Sequence, residues 1–372
     1  MLPLLLLGAQ LALAADVPAG QIVNEVRCAN DSAESYALYL PSTYSPDRAW
    51  PVIFAFDPGA RGHVPVERYQ AAAEHYGYIV AGSNNSRNGS WEVSQRAARA
   101  MLGDVGSRFH VDEQRIYLAG MSGGSRVALG LALGSKGIAG VIASSAGFPD
   151  STPRKRVPFP IFGTAGTEDF NLSEMRRMDR ALTSPHRLAV FEGGHIWLSS
   201  ELAMQAVEWM EIQAAKAGTR ADVDRIYARR AAAIDSLSAG KERYLALEEM
   251  AADFAGLKDV AKFTAQAAEL GRDKHVREAL KRERDEEAAE QREIDQLLGM
   301  EGRLKIPEQR RDALSDLRSE WKRLSTMAGG AADSAERRMA RRVLRGLSIS
   351  AGERSTDSEY LKLVAAYRMP PR

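Results

Sequence analysis

Short apolar runs rich in β-branched residues alternate with helical patterns between Val23 and Ala214. Strands that alternate with helices form a mostly parallel sheet with helices packed on both of its faces. The sequence therefore predicts an α/β fold for this part of the chain. The predicted strands are Ser35 to Leu40, Val52 to Phe56, Tyr78 to Ala81, Arg115 to Ala119, Ala139 to Ser144, Ile161 to Thr164 and Leu188 to Glu192.

The composition changes after Ala217. Strand-like runs end there, and the remaining sequence is rich in Ala, Leu, Glu, Arg and Lys, which favour helices. Gly256, Gly271 and Gly299 are expected to separate successive helices. Because 372 residues are enough for two domains, we expect an α/β domain over residues 16–216 and an all-helical accessory domain over residues 217–372. Its successive helices suggest tetratricopeptide-like packing, and such a domain is expected to bind a protein partner or to self-associate.

The first residues form an apolar run that ends in Ala-Leu-Ala at positions 12–14, a small-x-small pattern that signal peptidases accept. We expect a signal peptide over residues 1–15 and export of the protein to the periplasm or to the medium. The run is shorter than the roughly 20 apolar residues that a membrane-spanning helix needs. No later segment is long and apolar enough, so no stable membrane insertion is expected.

Charge and metal-binding residue types exclude several classes of function. The formal net charge is +1, so no large basic field attracts a phosphate backbone, and nucleic acid is not expected as a partner. The six histidines are scattered and the single cysteine forms no cluster, so no metal or other cofactor is expected. The same cysteine, Cys28, is expected to be a small buried apolar residue rather than a functional thiol.

A glycine-flanked serine stands between a predicted strand and a predicted helix. Residues 120–124 read Gly-Met-Ser-Gly-Gly and follow the strand Arg115 to Ala119. This is the nucleophile-elbow pattern, in which small neighbours allow a strained turn that exposes the serine hydroxyl. We therefore predict Ser122 as a nucleophile. The Gly123 amide, at the start of the next helix, is predicted to be one oxyanion donor.

A serine hydroxyl needs a base, and the base needs a carboxylate that orients it. His195 is the predicted base because it follows two glycines in the loop after the last predicted strand. Asp169 is the predicted acid because it follows the strand Ile161 to Thr164 in the segment Ala-Gly-Thr-Glu-Asp. Glu168 and Asp150 remain alternatives for the acid. The order serine, aspartate, histidine is the order found in α/β-hydrolases.

The sequence resembles the polyhydroxybutyrate depolymerase and feruloyl esterase group of α/β-hydrolases over a little more than its first half. The resemblance implies an α/β-hydrolase fold and ester hydrolysis. It is carried by Tyr36 to Pro41, Pro51 to Phe56, Tyr76 to Val80, Trp91, Val111 to Asp112, Gly120 to Gly124 and Gly193 to His195.

The group has His-Gly at the start of the loop that corresponds to the one after the strand Val52 to Phe56, whereas this sequence has Asp57-Pro58 there. The resemblance assigns the second oxyanion donor to the following amide, that of Gly59. Proline has no N–H, so Pro58 cannot donate, and Ala60 remains the alternative donor. Asp57 itself is expected to be a buried acceptor for backbone amides.

Three functions are compatible with these residues. An exported ester hydrolase is favoured, because no long insertion between the strands forms a lid and an open site suits a bulky or polymeric ester. A serine peptidase of the prolyl-oligopeptidase type would use the same three residues in the same order. A non-catalytic interaction protein on a hydrolase scaffold would not need the complete set of serine, aspartate and histidine.

Overall fold

A computed structural model describes residues 17–150, 152–220 and 223–367. The signal peptide predicted over residues 1–15 lies outside the described residues. Among the described helices, none combines the length and the apolar character needed to cross a membrane.

One eight-stranded sheet forms the centre of the first half of the chain, in the spatial order β1-β2-β4-β3-β5-β6-β7-β8. The pairs β1/β2 and β2/β4 are antiparallel, and the other strands run parallel to one another. With its flanking helices this is the α/β-hydrolase fold expected from the sequence. The strands are β1 (Ile22–Arg27), β2 (Ser35–Tyr39), β3 (Trp50–Phe56), β4 (Ile79–Ser83), β5 (Val111–Met121), β6 (Ile138–Ser144), β7 (Ile161–Gly166) and β8 (His186–Phe191).

Helices cover both faces of the sheet because its central strands are apolar on both sides. All seven residues of β3 are buried. One face packs against α1 (His63–Tyr76) and α5 (Ser200–Lys216). The other face packs against α2 (Trp91–Arg108), α3 (Gly123–Gly134) and α4 (Leu172–Ala181). Parallel strands covered in this way bring their carboxyl ends to one edge, where loops can hold functional side chains.

The predicted strands all exist, with ends shifted by a few residues, and the sequence also forms a strand that was not predicted. β1 is largely exposed, with only Val26 buried among its six residues. A strand at the edge of a sheet lacks the apolar run by which buried strands are recognised, so hydrophobic pattern alone misses it.

All secondary-structure elements that the structure describes after α5 are helices. They are α6 (Asp224–Ser236), α7 (Lys241–Phe254), α8 (Ala261–Leu270), α9 (Lys274–Arg303), α10 (Pro307–Ala328), α11 (Ala335–Arg354) and α12 (Ser358–Ala366). The predicted break at Gly299 is wrong, because α9 continues through this glycine to Arg303. A glycine inside a helix costs only about 1 kcal/mol relative to alanine, which the packing of a 30-residue helix outweighs.

Two apolar cores lie among the described residues of the helical region. One lies between α6, α7 and α8 and includes Ile212 of α5, so these helices pack directly on the last helix of the sheet domain. The second lies between α9, α10, α11 and α12 around the fully buried Trp321. Helix α9 also contacts α4, the helix that packs on β7 and β8.

Candidate active site

Ser122 lies in a strained turn between β5 and α3. Its backbone has φ 53° and ψ −121°, which is unusual for a residue with a side chain. The flanking glycines are sterically required. A Cβ atom on Gly120 would lie 2.1 Å from the carbonyl oxygen of Gly124, and one on Gly124 would lie 1.9 Å from the carbonyl oxygen of Phe56. The predicted elbow therefore forms where the sequence placed it.

The loops that follow β7 and β8 are in close contact with each other. A Cβ atom on Gly166, at the end of β7, would lie 2.3 Å from the carbonyl oxygen of Gly193. The amide of Glu168 donates to the same Gly193 oxygen at 2.8 Å. Glycines at these positions therefore allow the loop that carries Asp169 and the loop that carries His195 to lie side by side.

The structure brings the three predicted catalytic side chains together. His195 Nε2 lies 2.8 Å from Ser122 Oγ, and His195 Nδ1 lies 2.8 Å from Asp169 Oδ1. With the Nδ1 proton directed at the carboxylate, Nε2 is free to accept the serine proton. Asp169 is fully buried, and its Oδ1 also accepts the amide of Asn171 at 2.8 Å. These contacts fix the orientation of the imidazole.

The two alternative acids lie elsewhere. Asp150 is exposed and forms an ion pair with Arg154 at 2.6 Å. Glu168 forms an ion pair with Arg341 of α11 at 3.2 Å. Of these three carboxylates, Asp169 is the one hydrogen-bonded to His195.

The loop after β3 requires a correction to the predicted oxyanion donors. The Gly59 amide donates to Asp57 Oδ1 at 2.8 Å, and the Ala60 amide donates to the Asp57 carbonyl oxygen at 3.3 Å. Both N–H groups are therefore directed at Asp57, and neither is directed at Ser122. A side-chain acceptor two residues before the amide competes successfully for it, as aspartate commonly does in turns.

Asp57 is fully buried and is the acceptor of amides that the sequence predicts. Burial favours its protonated form, but hydrogen bonds from Arg61, Trp197 and Gly59 outweigh this effect and lower the pKa of the carboxyl group. The Trp197 indole donates to Asp57 Oδ2 at 2.8 Å. Because Trp197 is two residues after His195, this bond ties the histidine loop to the loop after β3.

Next to the predicted donor Gly123 lies a polar side chain that the sequence did not single out. A Cβ atom on Gly123 would lie 1.8 Å from Asn88 Oδ1 and 3.6 Å from Asn88 Nδ2. Asn88 is held in place by its own amide, which donates to the carbonyl oxygen of Pro58 at 2.9 Å. The side-chain amide of Asn88 is thus adjacent to the Ser122 turn.

The imidazole of His195 is covered on one side by Phe170, whose ring stacks on it with centroids 4.0 Å apart. Beyond this pair a cavity of about 780 Å³ opens between the histidine loop and helix α11. The open site expected from the sequence is therefore bordered on one side by the helical region. Nothing in the local sequence reveals this contact, because α11 begins more than a hundred residues after His195 in the chain.

Metal-binding residue types are not clustered in the part of the chain that the structure describes. No group of three or more His, Cys, Asp or Glu side chains there is placed to hold a metal ion. The site consists of a hydroxyl, an imidazole, a carboxylate and amide groups, which are the groups used in acyl transfer through serine.

No protein-family model matches the sequence, and a search of curated proteins found no relative. Solved structures do show similarity. A thermostable esterase is 19% identical, with 50% of this chain and 61% of that chain covered and a TM-score of 0.38. A ferulic acid esterase is 17% identical, with 51% of this chain and 97% of that chain covered and a TM-score of 0.42. Esterase B from Lactobacillus rhamnosis is 14% identical, with 54% of this chain and 89% of that chain covered and a TM-score of 0.43.

These matches extend over about half of the chain, and this chain spans less than two thirds of the thermostable esterase. The strand order, the strand directions and the elbow described above identify the fold independently of them.

Proposed function

We propose that the protein is a serine hydrolase that cleaves carboxylic esters, with Ser122 as nucleophile, His195 as base and Asp169 as the orienting acid. The observation that carries the proposal is the continuous hydrogen-bonded path from Ser122 Oγ through His195 to the buried Asp169. The strained backbone of Ser122 supports it, because such strain is commonly kept at functional sites.

The proposed reaction has two half-reactions. Ser122 Oγ attacks the carbonyl carbon while His195 Nε2 takes the hydroxyl proton, and the ester C–O bond then breaks as the alcohol leaves with that proton. In the second half-reaction water attacks the acyl-serine carbonyl and gives a proton to His195. The acid is released and Ser122 recovers its proton. Asp169 stabilises the imidazolium that forms in both halves.

The oxyanion of each tetrahedral intermediate needs at least one donor besides the catalytic triad. The Gly123 amide is the first proposed donor, since it begins α3 and no described residue accepts a hydrogen bond from it. The side-chain amide of Asn88 is the second proposed donor, in place of Gly59, because it contacts Gly123 and its oxygen and nitrogen can exchange positions by rotation.

The choice of ester over peptide follows the sequence resemblance to the polyhydroxybutyrate depolymerase and feruloyl esterase group. The apolar run over residues 1–15 supports export to the periplasm or the medium. The proposal also keeps residues 16–216 as the catalytic domain and residues 217–372 as a tetratricopeptide-like helical domain. Besides bordering the site, that domain would bind a protein partner or a second copy of the chain.

The proposal is tested with parallel panels of chromogenic esters and peptide amides, using the full chain and its Ser122→Ala variant. We expect turnover of esters, little turnover of amides, and loss of ester turnover by several orders of magnitude in the variant. Equal ester turnover in the two proteins would exclude Ser122 as nucleophile. Preferential amide cleavage would identify a peptidase instead. A third variant, Asn88→Ala, is expected to lower kcat about 10²-fold as one lost oxyanion donor does.

A further inference from the structure

Helix α11 makes two polar contacts with the loop that carries Asp169. Arg341 pairs with the Glu168 carboxylate, with distances of 3.2 and 3.3 Å from its Nη1 to the two oxygens. Arg342 donates through its own Nη1 to the carbonyl oxygen of Thr167. The two contacted residues directly precede Asp169 in the chain. The helical domain therefore holds this loop immediately before the orienting acid.

Both guanidinium groups are also bound within the helical domain. The Nε of Arg341 donates to the carbonyl oxygen of Ala328, the last residue of α10, at 2.9 Å. The Nε of Arg342 donates to Glu290 of α9 at 2.9 Å, and its Nη2 contacts the same carboxylate. The side chains of Arg341, Arg342 and Glu290 are 8%, 9% and 3% exposed. Because a guanidinium group presents several N–H donors in a rigid plane, each arginine bridges the helical core and the loop.

The two residues that α11 contacts hold the histidine loop as well. The amide of Thr167 donates to the carbonyl oxygen of Phe191 at 2.8 Å, and the amide of Glu168 donates to that of Gly193 at 2.8 Å. Gly193 lies two residues before His195. A displacement of this short segment would therefore be transmitted to the loop of the acid and to the loop of the base.

The position of the Asp169 carboxylate depends on the backbone on both sides of it. Its Oδ1 lies 2.8 Å from His195 Nδ1 and accepts the amide of Asn171 at 2.8 Å. Its buried Oδ2 has no hydrogen-bond partner among the described residues. Asn171 anchors the following side of the loop, since its Nδ2 donates to the carbonyl oxygen of Ser145 at 2.8 Å. The α11 arginines supply the matching anchor on the preceding side.

Resting on the proposed hydrolase function, we propose that Arg341 and Arg342 are positioning residues for the orienting acid. By fixing the two residues before Asp169, they keep its carboxylate within hydrogen-bonding distance of His195. Their effect on the reaction passes through the geometry of this loop and needs no contact with the ester. The helical domain is thereby required for full catalytic activity of the sheet domain.

Steady-state hydrolysis of p-nitrophenyl butyrate by the full chain tests this role. Arg341→Gln removes the ion pair with Glu168 and is expected to lower kcat about 10- to 100-fold, because a displacement of about 1 Å in a catalytic group costs up to about 10²-fold. KM should change less than about twofold, since Arg341 is not among the residues that line the cavity beside His195. Arg341→Lys keeps the charge and should recover part of kcat.

A double-mutant cycle with Asp169→Asn separates positioning from a general loss of structure. Asp169→Asn removes the group that the arginine positions, so Arg341→Gln should lower kcat less than about twofold further in that background. A smaller fraction of folded protein would instead lower kcat by the same factor in both backgrounds. Urea unfolding of each variant measures the accompanying change in stability.

Arg187→Gln is the matched control. Arg187 of β8 pairs with Asp253 of α7 at 2.7 Å, with side-chain exposures of 13% and 6%, so this is a similarly buried ion pair between the sheet domain and the helical domain. Arg187 lies near the start of β8, whereas His195 follows the end of that strand. Its loss should leave kcat within about twofold of the parent value, even where stability falls as much as in Arg341→Gln.

The outcomes separate the two proposals. Parental kcat in Arg341→Gln, or equal fold losses with and without the Asp169 carboxylate, would overturn the positioning role while hydrolysis itself stands. No turnover by the unmodified chain, or full activity of Asp169→Asn, would overturn the proposed triad and the positioning role with it. If Arg341→Gln does not fold, Glu168→Gln breaks the same ion pair from the loop, and the same pattern of kcat losses is expected and decides the question.

Discussion

Trp197 donates its indole N–H to Asp57 Oδ2 at 2.8 Å, which joins the loop that carries His195 to the loop after β3. Asp57 occupies the position where the resembling group has histidine. Its carboxylate accepts hydrogen bonds from the side chains of Trp197 and Arg61 and from the amide of Gly59. The aspartate thus converts a loop expected to donate hydrogen bonds to substrate into one that organises the histidine loop.

Asp57→Asn is expected to destabilise the protein by about 2 kcal/mol at pH 7, because hydrogen bonds to a buried charge are weakened. The folded-state pKa of Asp57 is lowered from its ordinary 3.8. Its stabilisation is therefore complete above pH 3.8 and is lost as the pH falls through the lower folded-state pKa. Urea unfolding at several pH values should show the difference between variant and parent shrinking below pH 4. A difference that is independent of pH would contradict this account.

Asp169→Asn is expected to lower kcat/KM about 10⁴-fold, because the amide no longer holds His195 in the tautomer that accepts the serine proton. Asp150→Asn is the control, since Asp150 is exposed and paired with Arg154. It should change kcat/KM less than twofold. The measurement is steady-state ester hydrolysis by proteins of equal thermal stability. Equal losses in the two variants would mean that another carboxylate orients the histidine.

Arg342 anchors the helical region to the loop after β7, which carries Asp169. It donates to the carbonyl oxygen of Thr167 and forms an ion pair with Glu290, and both charged side chains are almost fully buried. Arg342→Leu alone is expected to cost about 3–5 kcal/mol, because it leaves the Glu290 charge unpaired.

In a double-mutant cycle, adding Glu290→Leu to the Arg342→Leu variant should recover much of the lost stability. The exposed pair Lys274 and Glu278, measured in the same way, should couple by less than about 1 kcal/mol. Urea unfolding measures both cycles. Simple additivity of the Arg342 and Glu290 losses would show that the pair is not coupled.

Cys28 is 2% exposed, in agreement with the sequence expectation of a small buried residue. Burial raises the pKa of its thiol to about 12, with the nearby Asp104 and Glu34 carboxylates adding to the effect. We expect iodoacetamide at pH 8.5 to label the folded protein at least about 100-fold more slowly than the urea-unfolded protein, since the thiolate is the reactive form. Comparable rates in the two states would show that the thiol is accessible.

Local sequence pattern was sufficient to predict the parts of the site that lie within one loop. The glycines around Ser122 are needed because backbone atoms of β3 and α3 approach within about 2 Å of where side chains would begin. That steric demand is visible in the sequence as a glycine-flanked serine. Chain order and loop position likewise placed Asp169 and His195 where the structure brings them together.

Contacts between distant segments were not predictable in this way. Gly59 was expected to donate to substrate because the resembling group does so, and only the structure shows that Asp57 takes its hydrogen bond. Asn88 approaches Gly123 through the packing of two loops, and Arg345 approaches Gly194 from a separate core more than a hundred residues later. No residue pattern within a single element encodes these distances.

Covalent labelling tests most directly whether Ser122 is an activated nucleophile. The purified full chain is treated with a fluorophosphonate, digested and examined by mass spectrometry, with Ser122→Ala and His195→Ala variants in parallel. We expect one adduct per chain on the peptide that contains Ser122, no adduct in Ser122→Ala and a strongly reduced labelling rate in His195→Ala, because the imidazole takes the serine proton. An unlabelled native protein, or an adduct on another residue that persists in Ser122→Ala, would contradict the account.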